Sequence, residues 1–198
     1  MARADIAAVR REALVQAAIA EIGATRSAEV TVSRIARRAG VSAALAHHYF
    51  GSKERLFIAA MTEMLNGYGR AVIARQRRAE GPAERLRAIL DASFDAEQCR
   101  PETVSAWLVF YLQAQVSAEA ARLLAIYRGR LASNLRHECR RLAPEAEARW
   151  MADTLGALID GLYVRRAPDA AAPPAETSRA LAHACLDAML ARRTAQPA

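Results

Sequence analysis

The chain has 198 residues, 53% of them hydrophobic and 25% charged, and its 28 Lys and Arg against 21 Asp and Glu leave a net charge of +7. That balance excludes a disordered chain, which would bury too little apolar surface, and the length suits one large or two small domains. No apolar run approaches the ~20 residues of a membrane span, MARADIAAVRR has no apolar signal-peptide core, and Cys99, Cys139 and Cys185 lack disulfide or zinc spacing. A cytoplasmic protein with buried structural thiols, no metal site and no cofactor is expected.

Ala and Arg abundance with few β-branched runs favours helix throughout. The first helix is expected from about Ile6 to Ile22, with Leu14, Ala17, Ala18 and Ile22 as its apolar stripe and Gly23 closing it. Thr31 is placed to cap a second helix striped by Val32, Ile35, Ala36 and Ala39, ended by Gly40 in a left-handed cap. Ser42 caps a third, short helix with Leu45 and Tyr49 on its buried side. Lys53, behind the Ser52 cap, starts a fourth that runs through Gly67 and Gly69 to about Ala79. Gly81-Pro82 is a break. Leu86, Ile89, Leu90 and Ser93 begin a helix expected to end near Arg100-Pro101, and Thr103 to Val116 is strongly apolar. Long helices follow from Ala118 to Leu142 and from Glu145 to Arg166. PDAAAPPAE (168–176) reads as a Pro-broken loop before a last helix, about Ser178 to Arg192. There is no strand pattern and no internal repeat. The fold class expected is all-α: a three-helix, helix-turn-helix domain over 1–57 and a helical-bundle domain for ligand sensing and dimerisation over 58–198.

Residues 31–57, TVSRIARRAGVSAALAHHYFGSKERLF, carry the clearest chemistry. The third helix leaves Ala43, Ala44, His47 and His48 facing outward. A helix that enters the major groove needs small residues for close approach and donors for base edges. Around it, residues 1–55 hold nine Arg or Lys against five acids, the charge excess that supplies a salt-dependent phosphate term. Arg34 belongs to that excess, and Thr31 stands beside it. Lys53 is the one lysine of the chain; at a helix N-terminus it suits a phosphate clamp.

The run T-V-S-R-I-A-R-R-A-G-V-S followed by H-Y-F-G-S-K-E-R-L resembles the DNA-binding domain of the TetR family of bacterial transcriptional repressors over roughly residues 8–57. The resemblance implies that Ser42, Ala43, Ala44, His47 and His48 face an operator, that Tyr49 and Lys53 hold its phosphates, and that the fourth helix connects to a sensor domain. It departs at Ala44, where many members carry Gly.

In the second half, Phe94, Asp95 and Gln98 precede Trp107, Phe110 and Tyr111, whose i, i+3, i+4 spacing sets three rings on one helix side. Asp160 and Tyr163 follow in ALIDGLYVRR. Rings beside a carboxylate suit a quaternary ammonium ligand, which donates no strong hydrogen bond and must be held by π faces and charge. Aromatic stripes at helical spacing also build cores, and both readings stand on pattern alone. FDxxQ at 94–98, WLxFY at 107–111, RLxSNLxxExRR at 130–141 and ALIDGLYVR at 157–165 are similar to the choline-responsive repressors of glycine betaine synthesis within the same family. That resemblance implies a choline or betaine aldehyde effector. Tyr111 and Tyr163 stand where tryptophan is expected, and the tail after Arg166 differs. The alternative within the family is a repressor sensing another hydrophobic or cationic compound.

The partners expected are a palindromic duplex operator, a small effector and a second copy of the chain, because the last two helices carry more apolar surface than one bundle should expose and a two-fold operator needs a dimer. An enzyme is not expected. The four histidines are His47, His48, His137 and His183, and no Ser/His/Asp set, metal cluster or Gly-rich phosphate loop accompanies them.

Overall fold

The computed structural model describes residues 3–166 and 174–194, and every regular element among them is helical. In chain order the helices are α1 (Arg3–Thr25), α2 (Val32–Arg38), α3 (Ala43–Phe50), α4 (Lys53–Gln76), α5 (Pro82–Ser93), α6 (Pro101–Gln113), α7 (Ala118–Cys139), α8 (Glu145–Arg166) and α9 (Ala175–Thr194). Residues 168–173 of the expected proline-broken loop lie outside the described residues. No described helix is long and apolar enough to cross a membrane, and no group of three or more His, Cys, Asp or Glu among the described residues is placed to hold a metal.

Two compact units divide the chain, and the division does not follow a single sequence boundary. Among the described residues, the first comprises those up to Gly67 together with Arg100–Leu124; the second comprises Tyr68–Cys99 and those from Ala125 onward. Helix α6, sequentially part of the second half, thus belongs with α1, α2 and α3. Its strongest packing is against α1. The first unit buries Leu14, Ala18 and Ile22 of α1, Ile35 and Ala36 of α2, Ala46 and Phe50 of α3, and Val104, Ala106, Trp107 and Phe110 of α6. The second unit buries Tyr68, Leu86, Ile89, Leu90, Phe94, Leu135, Met151, Leu155, Ile159, Leu186 and Met189.

Three sequence expectations are corrected. Gly23 does not close α1, which continues to Thr25; the left-handed residue past the helix end is Arg26, at φ 54°. Helix α5 stops at Ser93, well before Arg100. Phe94 leaves helical geometry at φ −118° and ψ 28°, and beyond it the Asp95 carboxylate takes the Gln98 N–H (2.8 Å), a local turn in place of a further helical turn. Arg100, before a proline, is extended at ψ 137°, and Pro101 then opens α6 at a position where a missing N–H costs nothing. Third, Cys185 is only half-buried, whereas Cys99 and Cys139 are buried as expected. Burial pushes the Cys139 thiol up to about 11 and the Cys99 thiol in the same direction, which keeps both protonated.

Candidate functional site

The helix-turn-helix forms as its caps dictate. Thr31 is extended, and its hydroxyl accepts the Arg34 N–H at 3.2 Å; Ser42 does the same for Leu45 N at 3.2 Å. Gly40, at φ 69°, makes the turn between the two helices, and Gly51, at φ 75°, ends α3. On α3 the fully buried residues are Ala46 and Phe50, while Leu45 and Tyr49 are half-buried. The buried face is therefore rotated by one residue from the expected one. The outward face survives that rotation: Ala44, His47 and His48 are exposed, with Ala43 half-buried at its edge.

Polar side chains of α1 hold this motif in place. The Arg11 guanidinium donates to Tyr49 O (3.0 Å) and lies 4.4 Å from the centroid of the Phe50 ring. It caps one C-terminal carbonyl of α3 and supplies a cation over an aromatic face. Glu21, nearly buried, accepts from Arg34 Nε and from Arg38 Nη1 (2.9 Å) on α2. Burial alone would push its carboxyl up; the two arginine hydrogen bonds outweigh that and hold it below the ordinary carboxylate value. Lys53, at the start of α4, reaches Glu29 at 3.3 Å, an exposed pair that water and salt weaken. Arg11 and Glu21 carry no sequence signal of these roles, since each contact spans a helix-to-helix distance that periodicity does not encode.

The expected effector residues separate between the units. Trp107 and Phe110, with ring centroids 6.1 Å apart, are buried in the first unit, where Tyr111 also lies on α6. Phe94, Asp95, Gln98, Asp160 and Tyr163 belong to the second. There Phe94 stacks on Tyr163 at 6.0 Å, and Tyr68 meets Tyr127 edge-on at 5.7 Å. Ser93 joins the pairs: its hydroxyl is 2.9 Å from the Tyr68 hydroxyl, and its carbonyl accepts from the Tyr163 hydroxyl at 2.5 Å. The Tyr68 and Tyr163 phenols are thus anchored on one residue, which fixes the orientation of their rings. Burial, countered by the Ser93 bond and reinforced by nearby Asp160, pushes the Tyr68 phenol up to about 12. Tyr68 and Tyr127 lack a sequence signal, because each sits on a different helix from the aromatic runs.

The two candidate carboxylates differ. Asp95 has both oxygens engaged, one by Gln98 N–H and the other by Arg75 at 3.1 Å. Asp160 faces Arg128 at 3.9 Å and acts electrostatically on the Tyr68 phenol, which places it beside the rings.

Residues 14–60 match the family described as bacterial regulatory proteins, tetR family, and residues 82–191 match the family described as BetI-type transcriptional repressor, C-terminal. The HTH-type transcriptional regulator BetI of Agrobacterium fabrum is 52% identical over 157 residues, covering 79% of this chain and 76% of that protein. A transcriptional regulator from Pseudomonas aeruginosa, of solved structure, is similar with a TM-score of 0.78 and 26% identity over 91% of this chain and 90% of that one. A transcriptional regulator from Saccharomonospora viridis, solved in complex with choline, has a TM-score of 0.75 and 19% identity over 89% of this chain and 95% of its own.

Proposed function

The chain belongs to the TetR family of bacterial regulatory proteins, with a BetI-type repressor C-terminal domain, and from that premise we propose that a small quaternary ammonium compound of the choline or betaine aldehyde type releases it from its operator. The genes so controlled are those of glycine betaine synthesis. The observation that carries this reading is the BetI-type match across residues 82–191, the region that contains most of the ring cluster and Asp160. The choline bound to the Saccharomonospora viridis regulator supports the ligand class.

The effector site proposed is the cluster of Tyr68, Phe94, Tyr127 and Tyr163, with Asp160 rather than Asp95 balancing the charge. Helix α4 offers a route to the DNA-reading helices, because it starts at Lys53 in the first unit and continues past Tyr68 into the second. An effector shifts operator affinity only by as much as it prefers one conformation, typically about 5–150-fold.

The protein acts in this reading as a homodimer on a palindromic site. Much of the apolar surface on α8 and α9 turns inward, including Leu155, Ile159, Leu162, Leu186 and Met189; Trp150, Val164 and Leu181 remain outside, at 47%, 59% and 53% exposure. Those three are what a partner would cover. Sedimentation of a labelled duplex, selected from a random pool by the protein itself, tests the whole reading. Two chains per duplex are expected, with the complex dissociating as choline is added. One chain per duplex, or a complex indifferent to choline, would contradict it.

Within the reading unit, His47 is proposed to contact bases and Lys53 a phosphate. His47→Ala is expected to change which sequences are selected, at roughly 1–3 kcal/mol for the lost base contact. Lys53→Ala should weaken all sequences alike and lower the salt slope by about 1. Identical behaviour of the two variants in a binding-selection experiment would reject the assignment.

A further inference from the structure

The ion pairs between α1 and α2 put a carboxylate where a DNA-binding surface has least use for one. Glu21 brings a negative charge into the neighbourhood of phosphates, and by Coulomb's law alone it should weaken binding. Its geometry answers that cost. One nearly buried carboxylate accepts from Arg34 through Nε and from Arg38 through a single terminal nitrogen. Each guanidinium carries five N–H donors in a rigid plane, so both arginines keep most of their donors, and their side chains are 50% and 48% exposed. They stand one helical turn apart on α2, the first helix of the helix-turn-helix, which crosses the DNA backbone in this motif.

We propose that Glu21 is a positioning residue for DNA binding: it holds Arg34 and Arg38 as a preset pair whose remaining N–H groups take phosphates of the duplex. An unrestrained arginine gives up rotamer freedom when it grips a phosphate. A pair already held by Glu21 has lost that freedom on folding, so less is lost on binding. The inference rests on the DNA-binding role of this family, and it extends that role to a residue that touches no DNA itself.

The sign of one substitution separates positioning from simple electrostatics. Glu21→Gln removes a negative charge while keeping shape. If charge alone matters, the variant binds DNA more tightly. If Glu21 positions the arginines, it binds more weakly, and the plot of log affinity against log salt becomes shallower by about 0.9 for each phosphate contact released. The measurement uses the full chain and a duplex of random sequence long enough for two half-sites, because the phosphate term is independent of sequence. Circular dichroism checks that the variant is folded. Arg34→Lys and Arg38→Lys form the second arm, since they keep the charge but not the fork. Each should lose affinity in the wild-type background and lose little more when combined with Glu21→Gln, the non-additivity expected of coupled residues. Equal or tighter binding by folded Glu21→Gln with an unchanged salt slope overturns the proposal. So does full affinity in both lysine variants, should Glu21→Gln not fold. A wild-type chain that binds no duplex would instead overturn the DNA-binding reading beneath it.

Discussion

Replacing Gly23 with alanine is expected to destabilise the DNA-reading unit by about 1–3 kcal/mol, the usual cost of forcing extra volume into a packed interior. The opposite sign would be expected in an ordinary helix, where alanine is favoured over glycine by roughly 0.5–1 kcal/mol. The clash wins because of what the new methyl would meet. A Cβ at Gly23 would stand 2.2 Å from the Glu102 carbonyl oxygen, 2.8 Å from its carbon and 2.9 Å from its Cα. These are backbone atoms of α6, and no rotamer change moves them away. Helix α6 would have to withdraw from α1, its main packing partner. Gly129→Ala is the control: that glycine is also helical, a Cβ there would meet nothing within 4 Å, and a small gain is expected. Thermal unfolding reads the contrast at roughly 2–4 °C per kcal/mol for a chain of this size. A Gly23→Ala protein as stable as Gly129→Ala would mean that α1 and α6 do not approach this closely. Because α1 also carries Arg11 and Glu21, weaker operator binding should accompany the loss of stability. Gly23→Val, bulkier and β-branched, should deepen both effects.

Gly23 also marks the limit of what the sequence discloses. A glycine at the end of an apolar stripe reads as a helix cap, because local pattern contains the helix but not its neighbour. The demand for glycine comes from Glu102, 79 positions along the chain, and no periodicity reports it. The same division runs through the candidate site. The caps at Thr31 and Ser42, the left-handed Gly40 and the exposed His47 and His48 are all legible, since each depends on residues within a turn or two. The buried face of α3 is offset by one position from its pattern: an eight-residue helix gives too few turns to distinguish Leu45 and Tyr49 from Ala46 and Phe50. Arg11 and Glu21 look like members of a charge tally, yet both hold the motif together. In the second unit, Phe94 and Tyr163 stand out through aromatic clustering in sequence, while Tyr68 and Tyr127 join them only through tertiary packing. Trp107 and Phe110 satisfy the same pattern and lie in the core of the other unit.

Calorimetry with choline is expected to show binding that depends on the ligand's charge, and Tyr163→Leu should reduce it by on the order of 2 kcal/mol, roughly 30-fold. That is the upper scale for a cation over a desolvated aromatic face, and Tyr163 is half-buried beside Phe94. Leucine keeps most of the volume and removes the π face. Tyr163→Phe separates ring from hydroxyl: it loses the bond to Ser93 O but keeps the face, so affinity should stay near that of the wild type. Asp160→Asn should weaken choline binding as well, whereas Asp95→Asn should act chiefly on stability, because Asp95 is held by Arg75 and the Gln98 N–H. The ligand comparison is the uncharged isostere of choline in which a tert-butyl group replaces trimethylammonium. Shape and apolar area are retained, so a purely hydrophobic pocket would bind the two alike, and that result would remove the cation–π argument. Trp107→Leu tests the α6 rings in parallel. Loss of choline affinity there, with none at Tyr163, would move the site from the Ser93-centred cluster to α6. Loss at Tyr163 with operator affinity preserved in the absence of ligand would tie the rings to sensing and leave the reading helix to recognition, the separation of tasks that a ligand-released repressor requires.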